Sequence, residues 1–265
     1  MNDHTESVNI DSAAKALRQA RAAVTPCEPI SARFNIASLD NAYRVQATNT
    51  DYWQAGGRRI VGRKIGLTSA AVQRQIGVDQ PDFGILYADM EYADGAEIPR
   101  RALIHPRAEA EVGLVLAQDC CEPDLTYAEL CHRVAWLTPA IEIVDTAIAD
   151  WRINLFDTVA DNASSGVYVL GHQRYSPEAV DLRLSGMVME KNGVVVSTGV
   201  GAACLGHPLR AALWLARKMA EVGRPLKAGE LVMTGALGPM VDINGGEHLC
   251  VDIAGLGSVR VSIVE

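Results

Sequence analysis

Residues Arg107 to Leu116 alternate with a period of two. Ala108, Ala110, Val112, Leu114 and Leu116 are apolar, while the intervening positions begin Arg107, Glu109, Glu111. Successive side chains of a strand point to opposite faces, so this segment is expected to form a strand with one face in a core. The same alternation puts Glu109 and Glu111 on one face, roughly 7 Å apart along the chain. Like charges so placed repel, and are tolerated if they are solvated or if a cation lies between them. A second segment, Thr138-Pro139-Ala140-Ile141-Glu142-Ile143-Val144, isolates Glu142 in an apolar strand. A carboxylate buried there is costly unless it is paired or bound to a metal. Carboxylates on strands suit a hard cation such as Mg²⁺ or Mn²⁺, which takes oxygen ligands and keeps positions open for water or substrate. The residues alone leave a second reading open, in which Glu109 and Glu111 line a solvated face and Glu142 pairs with an arginine.

Strand-like runs dominate from residue 83 onward, at 83–87, 96–104, 107–117, 138–147, 166–171, 181–191, 194–199, 230–234 and 248–264. Asn192-Gly193 suits a type I′ hairpin turn, and Gly255-Leu256-Gly257 a second hairpin. Helices are expected over 11–24, capped by Asp11 or Ser12 with Val24 on the apolar face, and over 38–55, stopping at Gly56-Gly57. A short helix is expected from Ser69 to Ile76. Thr126 with Glu129 forms a capping box opening a helix to about Leu137, and an amphipathic helix runs from Pro208 to Val222. Strands and helices do not alternate regularly, which argues against a doubly wound sheet. The expected class is α+β: a mixed, mostly antiparallel β-roll or barrel with peripheral helices. Residues 1–80 form an N-terminal helical region with the first strand, and 81–265 the β-roll.

Hydrophobic residues make up 49% of the 265-residue chain, enough for a sizeable core, but only 5% are aromatic, so aliphatic side chains must do most of the packing. A net charge of -8 argues against a nucleic-acid surface. It does not argue against a small anionic substrate, because one local lysine or metal overrides the global charge. No apolar run reaches the ~18 residues of a membrane span, and the first residues are polar, so no membrane association and a cytoplasmic location are expected. Cys27, Cys120, Cys121, Cys131, Cys204 and Cys250 show no CxxC spacing and read as reduced thiols.

Lys64 stands inside an otherwise apolar strand at 59–67, where it can meet an anion, take part in proton transfer, or simply face solvent. Asp82, in the turn-like Gln80-Pro81-Asp82-Phe83-Gly84, can point into a cleft or cap the turn. Asp157 reads as a cap for a short helix, His207 as a helix-start residue, and Gly235-Ala236-Leu237-Gly238-Pro239 as a tight loop after a strand.

Taken in order, several blocks resemble the 2-keto-4-pentenoate hydratase family of the fumarylacetoacetate hydrolase-like superfamily. They are Gly62-Arg63-Lys64-Ile65-Gly66-Leu67-Thr68, Val78 to Gly84, Pro106 to Glu111, Pro139 to Glu142, Asp157 to Ser164, Cys204 to Leu209 and Leu231 to Pro239. The resemblance covers the chain from about residue 12 to its end. It implies a fumarylacetoacetase-like catalytic roll and Mg²⁺ or Mn²⁺ held by Glu109, Glu111 and Glu142. It also implies acid–base chemistry around Lys64 and Asp82, and substrate contacts at Leu67, Thr68, Asn162 and Gly235. The implied reaction is hydration of 2-hydroxypenta-2,4-dienoate to 4-hydroxy-2-oxopentanoate in meta-cleavage aromatic catabolism, by a homo-oligomer with a companion pathway enzyme as a further partner. A 2-oxo-3-hexenedioate decarboxylase and a non-catalytic complex partner are the rival readings. No clear His-Glu pair favours a C–C hydrolase.

Overall fold

The computed structural model describes residues 3–69, 73–74 and 78–265, with side chains from residue 9 onward. The N-terminal region is helical: α1 (Asp3–Ala23), α2 (Ile30–Phe34) and α3 (Leu39–Ala55). Ser38 caps α3, its side chain accepting from the Asn41 N–H at 3.2 Å. α1 starts earlier than the expected cap. Asp11 and Ser12 lie inside it, because no Gly or Pro interrupts the preceding turns and the buried stripe already includes Ile10. Val24 is not on its apolar face: it follows the helix with φ 47° and is exposed. The helix expected from Ser69 to Ile76 falls largely outside the described residues.

Among the described residues thirteen strands follow: β1 (Ile60–Gly66), β2 (Asp82–Tyr87), β3 (Glu91–Ala93), β4 (Glu97–Pro99), β5 (Pro106–Leu116), β6 (Val134–Asp145), β7 (Ser165–Leu170), β8 (Gly186–Lys191), β9 (Val194–Val200), β10 (Leu231–Met233), β11 (Val241–Asp242), β12 (Glu247–Ile253) and β13 (Gly257–Val264). Between them lie α4 (Tyr127–Arg133), α5 (Leu155–Ala160) and α6 (Pro208–Glu221). One eight-stranded sheet runs β2-β1-β10-β5-β6-β7-β3, with β11 also on β5; a five-stranded sheet runs β4-β13-β12-β8-β9. Only the β1–β10, β3–β7 and β4–β13 pairs are parallel among the described strands. The mixed, mostly antiparallel α+β class is therefore as the patterns indicate. The boundary expected near residue 80 falls between β1 and β2, which pair along their length.

Four further boundaries differ from expectation, each for a local reason. α4 stops at Arg133, because from Val134 the chain pairs with β5. The run at 96–104 keeps only Glu97–Pro99 as strand: Pro99 has no N–H to donate, and a 3₁₀ turn follows at Arg100–Ala102. The run at 181–191 becomes strand only at Gly186, since the Asp181 carboxylate accepts from the Arg183 and Leu184 N–H groups and holds a turn. Asp82 caps no turn; it is the first residue of β2, whose side chains are all buried. The alternation in β5 places Ala108, Ala110, Val112, Leu114 and Leu116 in the main core at no more than 2% exposure.

Candidate active site and metal centre

The sheet brings the charged residues together by register. On the paired strands β5 and β6, Glu109 faces Glu142 directly, and Glu111 faces Ala140. Carboxylate oxygens of Glu109, Glu111 and Glu142 lie within 4.8 Å of one another. β1 contributes Lys64, whose Nζ lies 3.3 Å from Glu142 Oε1; β2 contributes Asp82, which stands across from Gly66 of β1. Glu111 and Glu142 are buried, as are Lys64 and Asp82, so neither the solvated-face reading nor an exposed Lys64 describes them. Glu142 pairs with a lysine, not an arginine.

Burial here works against charge, and the neighbours decide how far. Burial raises the Glu109 carboxyl to about 7, with Lys64 opposing and Glu142 and Asp82 adding. Glu111 is held well above the usual carboxylate range by burial and then by Glu142 and Glu109. Burial lifts Asp82 to about 6, with Lys64 opposing. For Lys64, burial alone would favour the neutral amine, but Glu142, Glu109, Asp82 and Glu111 outweigh it and hold the ammonium above its ordinary value.

When ionised, these three clustered carboxylates carry more negative charge than one lysine balances. Glu111 Oε1, both carboxylate oxygens of Glu142 and Asp82 Oδ1 are buried without a hydrogen-bond partner. The other oxygen of Glu111, Oε2, accepts from the Gly235 N–H at 2.8 Å. Orphaned, all-oxygen donors of this kind fit a hard divalent cation.

The cluster opens on a cavity of about 730 Å³, lined by Lys64, Asp82 and Glu109 at its charged end and by Leu67, Thr68 and Ser69 beside them. Leu67 holds a left-handed φ of 57°, a strained conformation for a γ-branched residue, at the cavity wall. Thr68 is buried and packs under Gly235, where a Cβ would come within 2.4 Å of the Thr68 hydroxyl and φ is 103°. Gly66 is needed for a similar reason, since a Cβ there would fall 2.1 Å from Asp82 Oδ1. Asn162 sits differently from a ligand-binding amide. Its Oδ1 accepts from Ile85 N at 2.7 Å and its Nδ2 donates to Ile85 O at 2.9 Å, so both ends are spent stitching β2.

The structure adds cavity residues that the sequence did not single out: Thr158 and Ser164, with hydroxyls 3.3 Å apart, and Arg107, Trp151 and Met240. Ser164 faces the cavity because Asn162, Ala163 and Ser164 all take left-handed φ between 52° and 59°, which no residue type there announces. Arg107 was legible, since it shares the β5 face with Glu109. Asp157 does serve a helix start: Asn154 is the N-cap, and the Asp157 carboxylate reaches back to the Asn154 N–H and also accepts from Ser31. His207 caps α6, its Nδ1 accepting from Leu209 N. Cys204 is buried beside Glu111, and burial pushes its thiol up to about 12, so it is no nucleophile at neutral pH.

Residues 62–264 match the family model described as fumarylacetoacetate (FAA) hydrolase C-terminal. The chain is 52% identical over 249 residues to 2-keto-4-pentenoate hydratase 2 of Dechloromonas aromatica (strain RCB), covering 94% of this chain and 95% of that one. It is 50% identical over 250 residues to the 2-keto-4-pentenoate hydratase of Paraburkholderia xenovorans (strain LB400), covering 94% and 93%. Among solved structures, 4-oxalocrotonate decarboxylase from Pseudomonas putida G7, complexed with magnesium and adipate, superimposes with a TM-score of 0.93 at 35% identity, over 96% of this chain and 97% of that one. The chain belongs to the 2-keto-4-pentenoate hydratase family, within the fumarylacetoacetate hydrolase superfamily.

Proposed function

We propose that this chain is a hydro-lyase that converts 2-hydroxypenta-2,4-dienoate to 4-hydroxy-2-oxopentanoate in meta-cleavage aromatic catabolism. The observation that carries the reading is the Glu109–Glu111–Glu142 cluster beside Lys64 and Asp82, with Glu111 and Glu142 buried and Glu109 opening on one cavity. Glu109, Glu111 and Glu142 would hold a divalent ion, Mg²⁺ or Mn²⁺. When bound, that ion acts as a Lewis acid for the substrate's 2-oxo group and carboxylate.

The chain's own residues account for the proton steps. Lys64 is kept as an ammonium by its carboxylate neighbours and presents fixed positive charge to an anionic substrate. Asp82, lifted to about 6, exchanges a proton near neutral pH and lines the cavity. In the first stage a proton is added at C5 while the 2-hydroxyl loses its own, giving an unsaturated 2-oxo acid. In the second, the hydroxyl of water adds at C4 and the proton that water gives up is balanced by one added at C3. Leu67 and Thr68 line the wall at the carboxylate end, Gly235 packs behind Thr68, and Asn162 acts by fixing the strand that carries Asp82. A cytoplasmic homo-oligomer belongs to the same proposal. No described helix is long and apolar enough to cross a membrane.

The fold likeness to a decarboxylase favours one second reading, loss of CO₂ from 2-oxo-3-hexenedioate. Presenting each substrate to the Mg²⁺-loaded protein decides between them. Consumption of the dienoate with no CO₂ from the dicarboxylate supports the hydratase. CO₂ release without hydration overturns it.

A further inference from the structure

Away from the carboxylate cluster, the cavity wall carries one further cation among the described residues, Arg107. It lies one strand repeat, roughly 7 Å, from Glu109 on the same face of β5. Its guanidinium is already engaged on two sides. Arg107 Nε donates to Asp242 Oδ1 at 2.7 Å, from the position directly across on β11, and the guanidinium carbon lies 4.4 Å from the centre of the Trp151 ring. Trp151, Ile153 and Met240 line this part of the cavity.

Resting on the hydratase reading, we propose that Asp242 is a specificity residue. By neutralising Arg107 it keeps the subsite for the substrate tail apolar and uncharged, so the site selects 2-hydroxydienoates whose tails carry no second carboxylate. A terminal carboxylate arriving there meets a guanidinium whose charge Asp242 already balances through Nε, and meets the like charge of Asp242 itself. Without Asp242, the same guanidinium becomes a receptor for that carboxylate. Selectivity then comes from a carboxylate on the enzyme that occupies the place of one on the substrate.

The test is a binding measurement with two inert five-carbon acids that differ only at the tail, 2-oxopentanoate and 2-oxopentanedioate. Each is titrated by calorimetry into Mg²⁺-loaded wild type, Asp242→Asn, and the double variant Arg107→Met/Asp242→Asn. Asp242 is exposed, at 77% of its side chain, so the amide leaves no buried orphan. In Asp242→Asn the preference for the diacid over the monoacid should rise about three- to tenfold, as expected for gaining one partly screened ion pair. The gain should shrink at high salt and vanish in the double variant. An unchanged preference in Asp242→Asn, a gain that survives loss of Arg107, or no binding of either acid to any of the proteins would overturn the proposal. Because no turnover is read, an enzyme that failed to hydrate dienoates would still show or lack this charge selectivity.

Discussion

Lys64 Nζ lies 3.3 Å from Glu142 Oε1, with the two side chains only 3% and 1% exposed. Removing one member of a buried pair leaves an uncompensated charge, and such losses are typically about 3–5 kcal/mol. Lys64→Met should therefore destabilise the metal-free protein at neutral pH by an amount of that order in urea unfolding. Saturating Mg²⁺ should reduce the deficit, since the cation replaces the missing positive charge. The same variant should lose about 10²–10⁴-fold in kcat while still binding the metal. Wild-type turnover in Lys64→Met would remove Lys64 from the mechanism.

Glu111→Gln should weaken Mg²⁺ binding by at least about tenfold in calorimetry and leave the circular dichroism spectrum unchanged, since only one oxygen of Glu111 is held by protein, at the Gly235 N–H. Unaltered affinity in this variant would mean that Glu111 is not a ligand.

The pH dependence has a definite sign. Glu109 and Asp82 titrate near 7 and 6 in the fold, above their values in an unfolded chain, so the folded metal-free protein binds more protons across that window. Their contribution to stability is fully present below about pH 4, and is lost as pH rises through 6 and 7. The metal-free Tm should fall over this range more steeply in wild type than in Glu109→Gln. Mg²⁺ should raise Tm more at pH 8 than at pH 5.5, because binding requires the carboxylates deprotonated. Equal Mg²⁺-induced shifts at the two pH values would contradict the assignment.

Gly66→Ala would place a Cβ 2.1 Å from Asp82 Oδ1. Asp82 or its strand must shift, so kcat should fall by an order of magnitude or more while Mg²⁺ affinity, set on β5 and β6, stays within about threefold. Steady-state kinetics beside calorimetry would show the split; parallel loss of both would point to general damage.

Much of this was legible because strand alternation is a short-range rule. The period of two in β5 put Glu109 and Glu111 on one face, and the Asn192-Gly193 turn and the Thr126–Glu129 capping box are equally local. What joined Glu142 to Glu109 was the register between β5 and β6; alternation fixes which face a residue takes, but not which residue it meets across the ladder. Asp82 was legible as a candidate but not as a strand residue: Pro81 suggested a turn, and pairing with β1 overrode it. Ser164 reached the cavity through three consecutive left-handed residues, none of them glycine. The early end of α4 at Arg133 shows the same competition, since helix propensity lost there to the β5–β6 ladder.

The central claim is that one divalent ion on Glu109, Glu111 and Glu142 makes this cavity a dienoate hydratase. The most direct measurement strips the protein with a chelator and titrates Mg²⁺ back while following freshly generated 2-hydroxypenta-2,4-dienoate. Hydration should be absent from the stripped protein, return in proportion to occupancy, and saturate at one equivalent per chain. Full hydration in the stripped protein, or in a Glu109→Gln/Glu111→Gln/Glu142→Gln variant, would contradict it.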